Sequence, residues 1–466
     1  MPFLPVFLTT DILIYLLLAA IVGFAVYTSR HEHLRVPWRQ VARRPMAMAA
    51  LVILLAYVVV GLMDSMHFRP RLEGLNPAER GYSNEVLSVL DYVARPLRTR
   101  VETTYSAPFA MTAYIMETVE SRDGHRVREY PRLKYGGAHL KDAAERAADI
   151  ARRAGAATAA GAASWLLMVV VFLLIWRQHG EPSTQAARRL VRGDSPVPWR
   201  TIWITSGILI VVAANAGYLS LYYHIAGTDQ VGQDVFYKSL KSVRTGLVIG
   251  TLTTLVMLPF AALFGITAGY FRGWVDDVIQ YTYTTLSSIP GVLLIAAAIL
   301  SLQVYVANHP EAFPDTTSRA DIRLLFLCLI LGVTSWTSLC RLLRGETLKL
   351  REVDYIQASR ALGAGHFSVM ARHILPNVMH IILITVVLDF SGLVLAEAVL
   401  SYVGVGVDPT MDSWGNMINS ARLEMAREPI VWWSLASAFV FMFGLVLSAN
   451  LFADAVRDAF DPRLRK

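Results

Sequence analysis

Residues 378–400 read VMHIILITVVLDFSGLVLAEAVL, an apolar run of 23 residues in which Asp389 and Glu397 are the charged members. A helix of about 20 apolar residues spans the hydrocarbon core of a bilayer, which is about 30 Å thick. The run does not alternate between apolar and polar residues, as the strands of a membrane barrel do. It therefore predicts a membrane-spanning helix.

The rest of the chain contains eight more runs of this kind. They lie at residues 11–28, 46–65, 156–176, 202–222, 246–269, 279–300, 323–343 and 433–453. The 466 residues are 55% hydrophobic and 17% charged, whereas a soluble domain carries about 25% charged residues. The composition argues against a soluble enzyme, and the sequence predicts an all-α polytopic membrane protein with about nine transmembrane helices.

The distribution of basic residues predicts the orientation of these helices, because Lys and Arg accumulate in short cytoplasmic loops. With the N-terminus outside, the segments predicted to lie inside hold 21 Lys and Arg residues and the short outside segments hold 6. Residues 67–154 are Arg-rich and fall outside, but loops longer than about 60 residues are exempt from this bias. We therefore expect the N-terminus outside and the C-terminus in the cytoplasm. The net charge of +7 then reflects topology, and no nucleic acid partner is expected.

Residues 67–154, called the insert, are long enough to form a small α/β domain outside the membrane. Residues 84–93 and 140–153 have helical spacing, while 114–119 and 127–130, joined by a turn at 122–124, predict a hairpin. Two interpretations of the insert stay open: a docking surface for another extracytoplasmic protein, or a stabilising cap. The polar segment 177–200 is expected to set topology and to contact anionic lipid headgroups through its arginines.

The segment before the first quoted run carries the signals of two short helices. Residues 354–377 read DYIQASRALGAGHFSVMARHILPN. Asp354 followed by Gln357 predicts a capping box, and Gly363 predicts a left-handed residue that ends the helix. Pro376 predicts a break before the next span. The residues expected to line one small-residue face are Tyr355, Ile356, Ala358, Ser359 and Leu362.

This segment resembles the E-A-A-x-x-x-G loop, with its downstream I-x-L-P, of the permease subunits of bacterial ATP-binding-cassette importers. Ala358, Gly363, Leu375 and Pro376 stand on the pattern. Gln357 replaces Glu, Ser359 replaces Ala, and His373 occupies the Ile position. The surrounding phrase is similar to the form found in the dipeptide, oligopeptide and nickel branch.

A second stretch, residues 227–234, reads GTDQVGQD and is similar to the G-T-D-x-x-G-R-D signature of the same branch, with Gln233 in place of Arg. We call it the signature loop. Its matching residues are Gly227, Thr228, Asp229, Gly232 and Asp234. Further matches lie at 38–63, 397–406 and 413–417, and in the tail at Asn450, Asp454, 457–458 and 461–463. They extend the resemblance over about 36–66 and 226–466. It leaves residues 1–30 and 67–222 as additions.

The predicted spans and the resemblance together indicate an organisation in four parts. Residues 1–66 form two N-terminal transmembrane helices, 67–154 the insert, and 155–225 an inserted helix pair. Residues 226–466 form a five-helix permease core with a cytoplasmic coupling loop at 341–377. The location implied is the bacterial inner membrane.

The resemblance also implies partners. These are a second homologous permease, two ATPase subunits, an extracytoplasmic substrate-binding protein and membrane lipid. The chain lacks the G-x-x-x-x-G-K-[ST] phosphate-binding motif, so we expect a transport subunit that is not itself an enzyme. No motif indicates a cofactor, and no spacing of Cys and His indicates a metal site.

The resemblance implies that the loop before the eighth span couples the permease to the ATPase. The residues in question are Asp354, Tyr355, Gln357, Ala358, Ser359, Ala361, Leu362, Gly363, Leu375 and Pro376. Asp389 and Glu397 are candidates for lining the path, because carboxylates within a membrane are costly, although Glu397 is expected near the outer boundary, where water reaches it. Thr228, Asp229 and Asp234 either order a loop near the substrate-binding protein or serve ordinary turn chemistry.

Three functions remain open from the sequence. The first is a peptide permease coupled to ATP hydrolysis by its partners. The second is a nickel or other small-solute permease of the same branch. The third is a membrane protein that kept the permease scaffold for interaction and does not transport.

Overall fold

The computed structural model describes residues 3–71, 82–120, 126–177, 197–311 and 316–460. Within these ranges, nine helices are long and apolar enough to cross a membrane, in agreement with the predicted fold class. The helices, in chain order, are α1 (Thr9–Arg30), α2 (Glu32–Arg43), α3 (Pro45–Ser65), α4 (Val89–Val93), α5 (Arg95–Thr99), α6 (Arg146–Arg177), α7 (Trp199–Leu219), α8 (Val235–Phe271), α9 (Trp274–Ser288), α10 (Gly291–Asn308), α11 (Thr316–Leu350), α12 (Asp354–Ala361), α13 (His366–Val369), α14 (Leu375–Tyr402), α15 (Trp414–Glu424) and α16 (Trp433–Phe460).

The strands form two small antiparallel sheets. The first joins β1 (Phe3–Val6), β2 (His67–Pro70) and β3 (Leu87–Ser88) in the order β1-β2-β3. Phe3 pairs with Pro70 and Val6 with His67, so the residues before α1 and those after α3 share one sheet. The sequence did not predict this sheet, because pairing between distant short strands leaves no local periodicity.

The second sheet is a hairpin of β4 (Glu117–Glu120) and β5 (Arg126–Glu129), which confirms the predicted hairpin of the insert. Its predicted turn at 122–124 lies outside the described residues. The helix predicted over 84–93 is wrong in its first half. Ser88 and Asp91 form a capping box, in which each side chain accepts a hydrogen bond from the other's backbone N–H. This cap makes α4 begin at Val89.

Helices α6 and α7 pack along each other, and α7 also packs against α3. The indole Nε1 of Trp165 donates to the carbonyl of Trp203 at 2.9 Å. The opposite side of α6 carries exposed Leu167, Val171 and Leu174. An exposed apolar stripe of this kind suits contact with lipid. The arginine-rich loop expected between these helices lies mostly at 178–196, outside the described residues.

The helices of the core follow the predicted runs, with one exception. The run at 279–300 was predicted as a single span, but the chain breaks between α9 and α10. Pro290 has no backbone N–H and precedes the first turn of α10, and Ile289 before it is extended, with ψ of 128°. The membrane-length helix is therefore Gly291–Asn308.

At Pro376 the error is the reverse: a break was predicted, but the helix continues. The chain remains helical from α13 through a π-helical segment, Met370–Ile374, into α14. The N–H of Leu375 bonds to the carbonyl of Met370 across this wider turn. A π turn immediately before a proline supplies an i→i+5 bond that the proline does not disturb, so His366–Tyr402 is one continuous helix.

The described chain divides into two compact units. One holds residues from 1–6, 39–245 and 412–452, and the other holds residues from 7–38, 246–411 and 453–466. The second unit contains two apolar clusters. One surrounds Leu324 and Leu327. The other, called the Leu343 cluster, buries Tyr270, Leu343, Ile356 and Ile374.

Candidate functional site

The signature loop is a tight turn closed by its own aspartate. Oδ1 of Asp229 accepts from the backbone N–H groups of Val231 and Gln233, at 3.0 and 2.9 Å. Its Oδ2 lies 2.5 Å from Nζ of Lys238. Asp229 therefore serves the turn itself.

The rest of the signature loop is bonded to the insert. The N–H of Glu102 donates to the carbonyl of Gly232, and the N–H of Thr228 donates to the carbonyl of Ser106, both at 3.0 Å. The N–H of Ser106 donates in return to Oγ1 of Thr228 at 2.7 Å. Gly232 has φ of +75°, and a Cβ at this position would overlap the carbonyl oxygen of Glu102. Only glycine allows the two backbones to come this close.

A buried ionic chain crosses the same contact. Nδ1 of His224 lies 2.7 Å from Oδ2 of Asp234, and Nε2 lies 3.3 Å from Oε1 of Glu102. Burial lowers the pKa of His224, but hydrogen bonds to the two carboxylates outweigh it and raise the pKa to about 9. The imidazole is therefore charged at neutral pH, and both ring nitrogens donate.

Glu102 is the centre of the insert's side of this contact. Its carboxylate accepts from the backbone N–H groups of Lys134, Tyr135 and Gly136, at 2.8, 2.8 and 3.1 Å. Burial raises its pKa, but the hydrogen bond from His224 and those from the backbone prevail and lower the pKa to about 2. The Glu102 carboxylate thus faces a charged imidazole and accepts from three backbone N–H groups, which a buried charge requires.

Gly227 and Thr228 are also held by α16. The indole Nε1 of Trp433 donates to the carbonyl of Thr228 at 2.9 Å, and Trp433 is 2% exposed. The structure therefore brings the five signature residues together in one turn. Glu102 and His224 were missed from the sequence: Glu102 lies in the insert, which no motif covers, and His224 lies three residues before the signature.

The coupling loop, residues 341–377, begins inside α11, which continues to Leu350. Helix α12 follows and presents one buried side chain, Ile356, which is 0% exposed and belongs to the Leu343 cluster. Tyr355, Ala358, Ala361 and Leu362 are exposed. The prediction that Ile356 shares a face with the small residues is therefore wrong, because its side chain anchors the helix to the core.

The sequence predicted the C-terminal end of α12 correctly but not its N-terminal end. The predicted capping box is wrong: the N-cap position is Val353, no side chain caps the helix, and Nε2 of Gln357 donates to the carbonyl of Glu352 at 3.2 Å. The predicted ending is confirmed, with Gly363 at φ of +85°. The N–H of Gly363 bonds to the carbonyl of Arg360, and that of Ala364 to the carbonyl of Ser359. This pair of bonds is the Schellman motif.

Polar contacts hold the loop to α8. The hydroxyl of Tyr270 lies 2.9 Å from Nδ1 of His366. Nη1 of Arg351 donates to the carbonyl of Tyr270 at 2.7 Å, and Arg272 pairs with Glu352 at 2.8 Å. Residues on both sides of α12 are therefore attached to the end of one long helix.

Within the loop, further contacts join α12 to the start of α14. Nδ2 of Asn377 donates to the hydroxyl of Tyr355 at 2.9 Å, and Oγ of Ser359 lies 3.4 Å from Nε2 of His373. Leu375 packs against the Leu343 cluster, and Pro376 occupies the first turn of α14. With one side of the loop anchored in this way, Leu362 and Phe367 remain 89% and 80% exposed.

The two candidate path carboxylates have different surroundings. Glu397 is 2% exposed and accepts from Oγ of Ser401 at 2.7 Å, so its side chain is buried and not open to water as expected. Asp389 is half-buried and makes no hydrogen bond to a described residue. Both carboxylates stay candidates for lining the path.

Comparison with known proteins identifies the family of the chain. Residues 261–466 match the family model described as binding-protein-dependent transport system inner membrane component. The chain is similar to a glutathione transport system permease protein of Pectobacterium atrosepticum, with 30% identity over 58% of this chain and 92% of that protein. It is similar to an oligopeptide transport system permease protein of Mycobacterium bovis, with 31% identity over 52% of this chain and 77% of that protein.

A putative peptide permease protein of Brucella suis is similar at 31% identity, over 52% of this chain and 73% of that protein. The nine apolar helices found in the described part of the chain, together with the family match, place it in the inner membrane as a multi-pass protein. Permeases of this kind work with an ATPase and a substrate-binding protein and are not themselves enzymes. The chain belongs to the family of binding-protein-dependent transport system inner membrane components, the permease subunits of ATP-binding-cassette importers, in its peptide and oligopeptide branch.

Proposed function

We propose that this chain forms one half of the translocation path of a peptide importer. The observation that carries the proposal is its similarity, over most of their length, to permeases named for glutathione and oligopeptides. Glutathione is itself a tripeptide, so these names share one chemical class. The other half of the path is a second homologous permease, and two ATPase subunits and a soluble receptor complete the importer.

The coupling loop is the contact with the ATPase in this proposal. Leu362 and Phe367 are the exposed apolar side chains, and the small Ala358 and Ala361 leave room for a partner to approach α12. Ile356 transmits the displacement of α12 into the Leu343 cluster, because it is fully buried there. A rigid connection of this type moves a packed core between discrete arrangements.

The proposed topology places the coupling loop in the cytoplasm and the insert outside. Strand β1 precedes α1 and pairs with β2, which follows α3. Paired strands lie on the same side of the membrane, so the pairing supports two crossings between them, by α1 and α3. The insert is hydrogen-bonded to the signature loop, so the two lie on the same side of the membrane. This supports two further crossings between them, by α6 and α7. Because the insert is fixed to this loop, we propose that it is part of the surface on which the receptor docks.

Reconstitution tests the proposal. Proteoliposomes that contain the chain, its partner permease, the ATPases and the receptor are expected to take up a labelled tripeptide when ATP is supplied. Di- and oligopeptides are expected to compete, and Ni²⁺ is not. Uptake of Ni²⁺ that peptides do not affect would replace the proposal with a metal permease, and an assembly that binds no ATPase would indicate a protein that does not transport.

A matched pair of variants tests the coupling loop in the same system. Leu362→Ser removes an apolar side chain that is 89% exposed, so we expect normal folding with at least tenfold slower uptake. Leu423→Ser in α15 removes a leucine that is 65% exposed and is expected to leave uptake unchanged. Equal uptake by both variants would contradict the role of the coupling loop.

A further inference from the structure

Helix α2 connects two membrane-length helices through a single residue at each end. His31 separates it from α1, and Arg44 separates it from α3. Its 12 residues extend about 18 Å, which is less than the thickness of the hydrocarbon core, about 30 Å. Helix α2 therefore stays at one surface of the membrane, at the level of the lipid headgroups.

The ends of the two spans that adjoin α2 expose apolar side chains. Val26 and Tyr27, in the last two turns of α1, are exposed, and so is Met46 in the first turn of α3. Exposed apolar side chains on membrane-length helices suit contact with lipid. Lipid is therefore expected next to both ends of α2.

Helix α2 itself has a buried face and an exposed face. Pro37 and Val41 are buried. The ring of Trp38 meets the ring of Phe460 edge-on, with 5.6 Å between the ring centroids. These apolar contacts determine which face of α2 is turned away from the packed residues.

The exposed face carries three arginines, Arg35, Arg39 and Arg43, which we call the arginine row. Their spacing of four residues places successive members one turn apart on the same side of the helix. All three are exposed, and no hydrogen bond or ion pair joins them to another residue in the described ranges of the chain. Glu32 is the one acidic residue of α2, so the helix carries a surplus of positive charge.

The charge and the location of the arginine row together favour an anionic phospholipid as its partner. Basic residues next to a membrane-spanning helix attract anionic lipids. A guanidinium group also binds phosphate oxygens through two parallel N–H groups. Arginines that only set topology need not share a face, whereas these three share one.

We propose that the arginine row is a binding surface for the headgroups of anionic phospholipids and holds α2 against the membrane surface. The inference concerns the lipid around the chain. It is independent of the transported substrate and of the side of the membrane on which α2 lies, because phospholipid headgroups cover both surfaces.

The test measures which lipid approaches α2. Gln40→Cys places one exposed thiol on this helix, and both native cysteines are buried, so a fluorophore is attached there. The full chain is placed in phosphatidylcholine vesicles that contain a small fraction of nitroxide-labelled phosphatidylglycerol or nitroxide-labelled phosphatidylcholine. We expect half-maximal quenching at a phosphatidylglycerol fraction at least about tenfold lower, because each arginine near an anionic surface strengthens binding about fivefold.

Two triple variants test whether the charge of the row causes this preference. Arg35→Gln with Arg39→Gln and Arg43→Gln is expected to abolish the preference for phosphatidylglycerol. Lysine at the same three positions keeps the charge and is expected to keep most of the preference. Sodium chloride at about 0.5 M is expected to weaken the preference of the wild-type row, because salt screens exposed charges.

The matched control removes three exposed arginines from the insert, by Arg95→Gln, Arg126→Gln and Arg128→Gln. It changes the net charge by the same amount and is expected to keep the wild-type lipid preference. Equal quenching by the two lipids with the wild-type row would overturn the proposal, and so would an unchanged preference in the triple glutamine variant of the row. If that variant instead loses a co-purifying ATPase while the wild type shows no lipid preference, the row binds a protein and the proposal fails.

Discussion

Glu102 of the insert accepts a hydrogen bond from Nε2 of His224, 3.3 Å away, and the same imidazole lies 2.7 Å from Asp234 of the signature loop. The chain thus uses one charged histidine to join the insert to the signature loop. All three side chains are buried. The insert is therefore a fixed part of the surface that carries the signature loop.

This arrangement predicts a dependence of stability on pH. The pKa of His224 is raised from its ordinary 6.5 to about 9, so its contribution is complete below pH 6.5 and is lost as the pH rises through 9. The pKa of Glu102 is lowered to about 2, so its contribution is complete above pH 4.5 and is lost as the pH falls through 2. Thermal unfolding of the purified protein between pH 6 and 10 is expected to show a falling Tm.

The control for this measurement is His224→Gln, which has no titrating group at this position. Its Tm is expected to be lower than that of the wild type at pH 6, and the difference is expected to shrink above pH 9. Parallel pH curves for the two proteins would show that His224 is not the charged partner of Glu102.

The close approach at Gly232 predicts a large loss of stability on adding a single methyl group. Gly232→Ala places a side chain in a left-handed backbone and against the carbonyl of Glu102. We expect a loss of at least about 2 kcal/mol, together with faster proteolysis of the insert. Gly217→Ala in α7, where a methyl group meets open space, is expected to gain up to about 1 kcal/mol. A neutral Gly232→Ala variant would argue against the tight contact.

The coupling loop offers a similar comparison between two glycines two positions apart. Gly363 has φ of +85°, whereas Gly365 has φ of −63° and ψ of 148°, and a Cβ at either position meets open space. Gly363→Val is expected to strain the turn by about 1–3 kcal/mol, to lower stability by a similar amount and to reduce ATP-driven uptake. Gly365→Val is expected to transport normally. Equal transport by both variants would mean that the turn has no role in coupling.

The sequence was sufficient to predict the spanning helices, because an apolar run of about 20 residues has few alternatives in a membrane. Its errors about the ends of these helices fell at prolines. Pro290 divides a run that is apolar throughout, while Pro376 is accommodated by a π turn. The chemistry of proline is the same at both sites, and only the surrounding chain decides between a break and a continuous helix.

Features of the candidate sites were predictable where a local motif determines the backbone conformation of a turn. Gly363 and the turn around Asp229 follow from local chemistry. The pairing of Glu102 with His224 joins residues 122 positions apart, and no local pattern records such a contact. The orientation of Ile356 also depends on the core it enters. Long-range packing is therefore what the sequence did not reveal.

Thiol labelling in intact cells tests most directly whether the coupling loop faces the cytoplasm while the insert lies outside. Both native cysteines, Cys328 and Cys340, are fully buried, so background labelling is expected to be low. With a membrane-impermeant maleimide, the Tyr92→Cys variant, at a position 69% exposed in the insert, is expected to react at once. The Phe367→Cys variant, at a position 80% exposed, is expected to react only after the cells are permeabilised. Reaction of Phe367→Cys in intact cells, with Tyr92→Cys protected, would contradict the proposed topology and the coupling role of the loop.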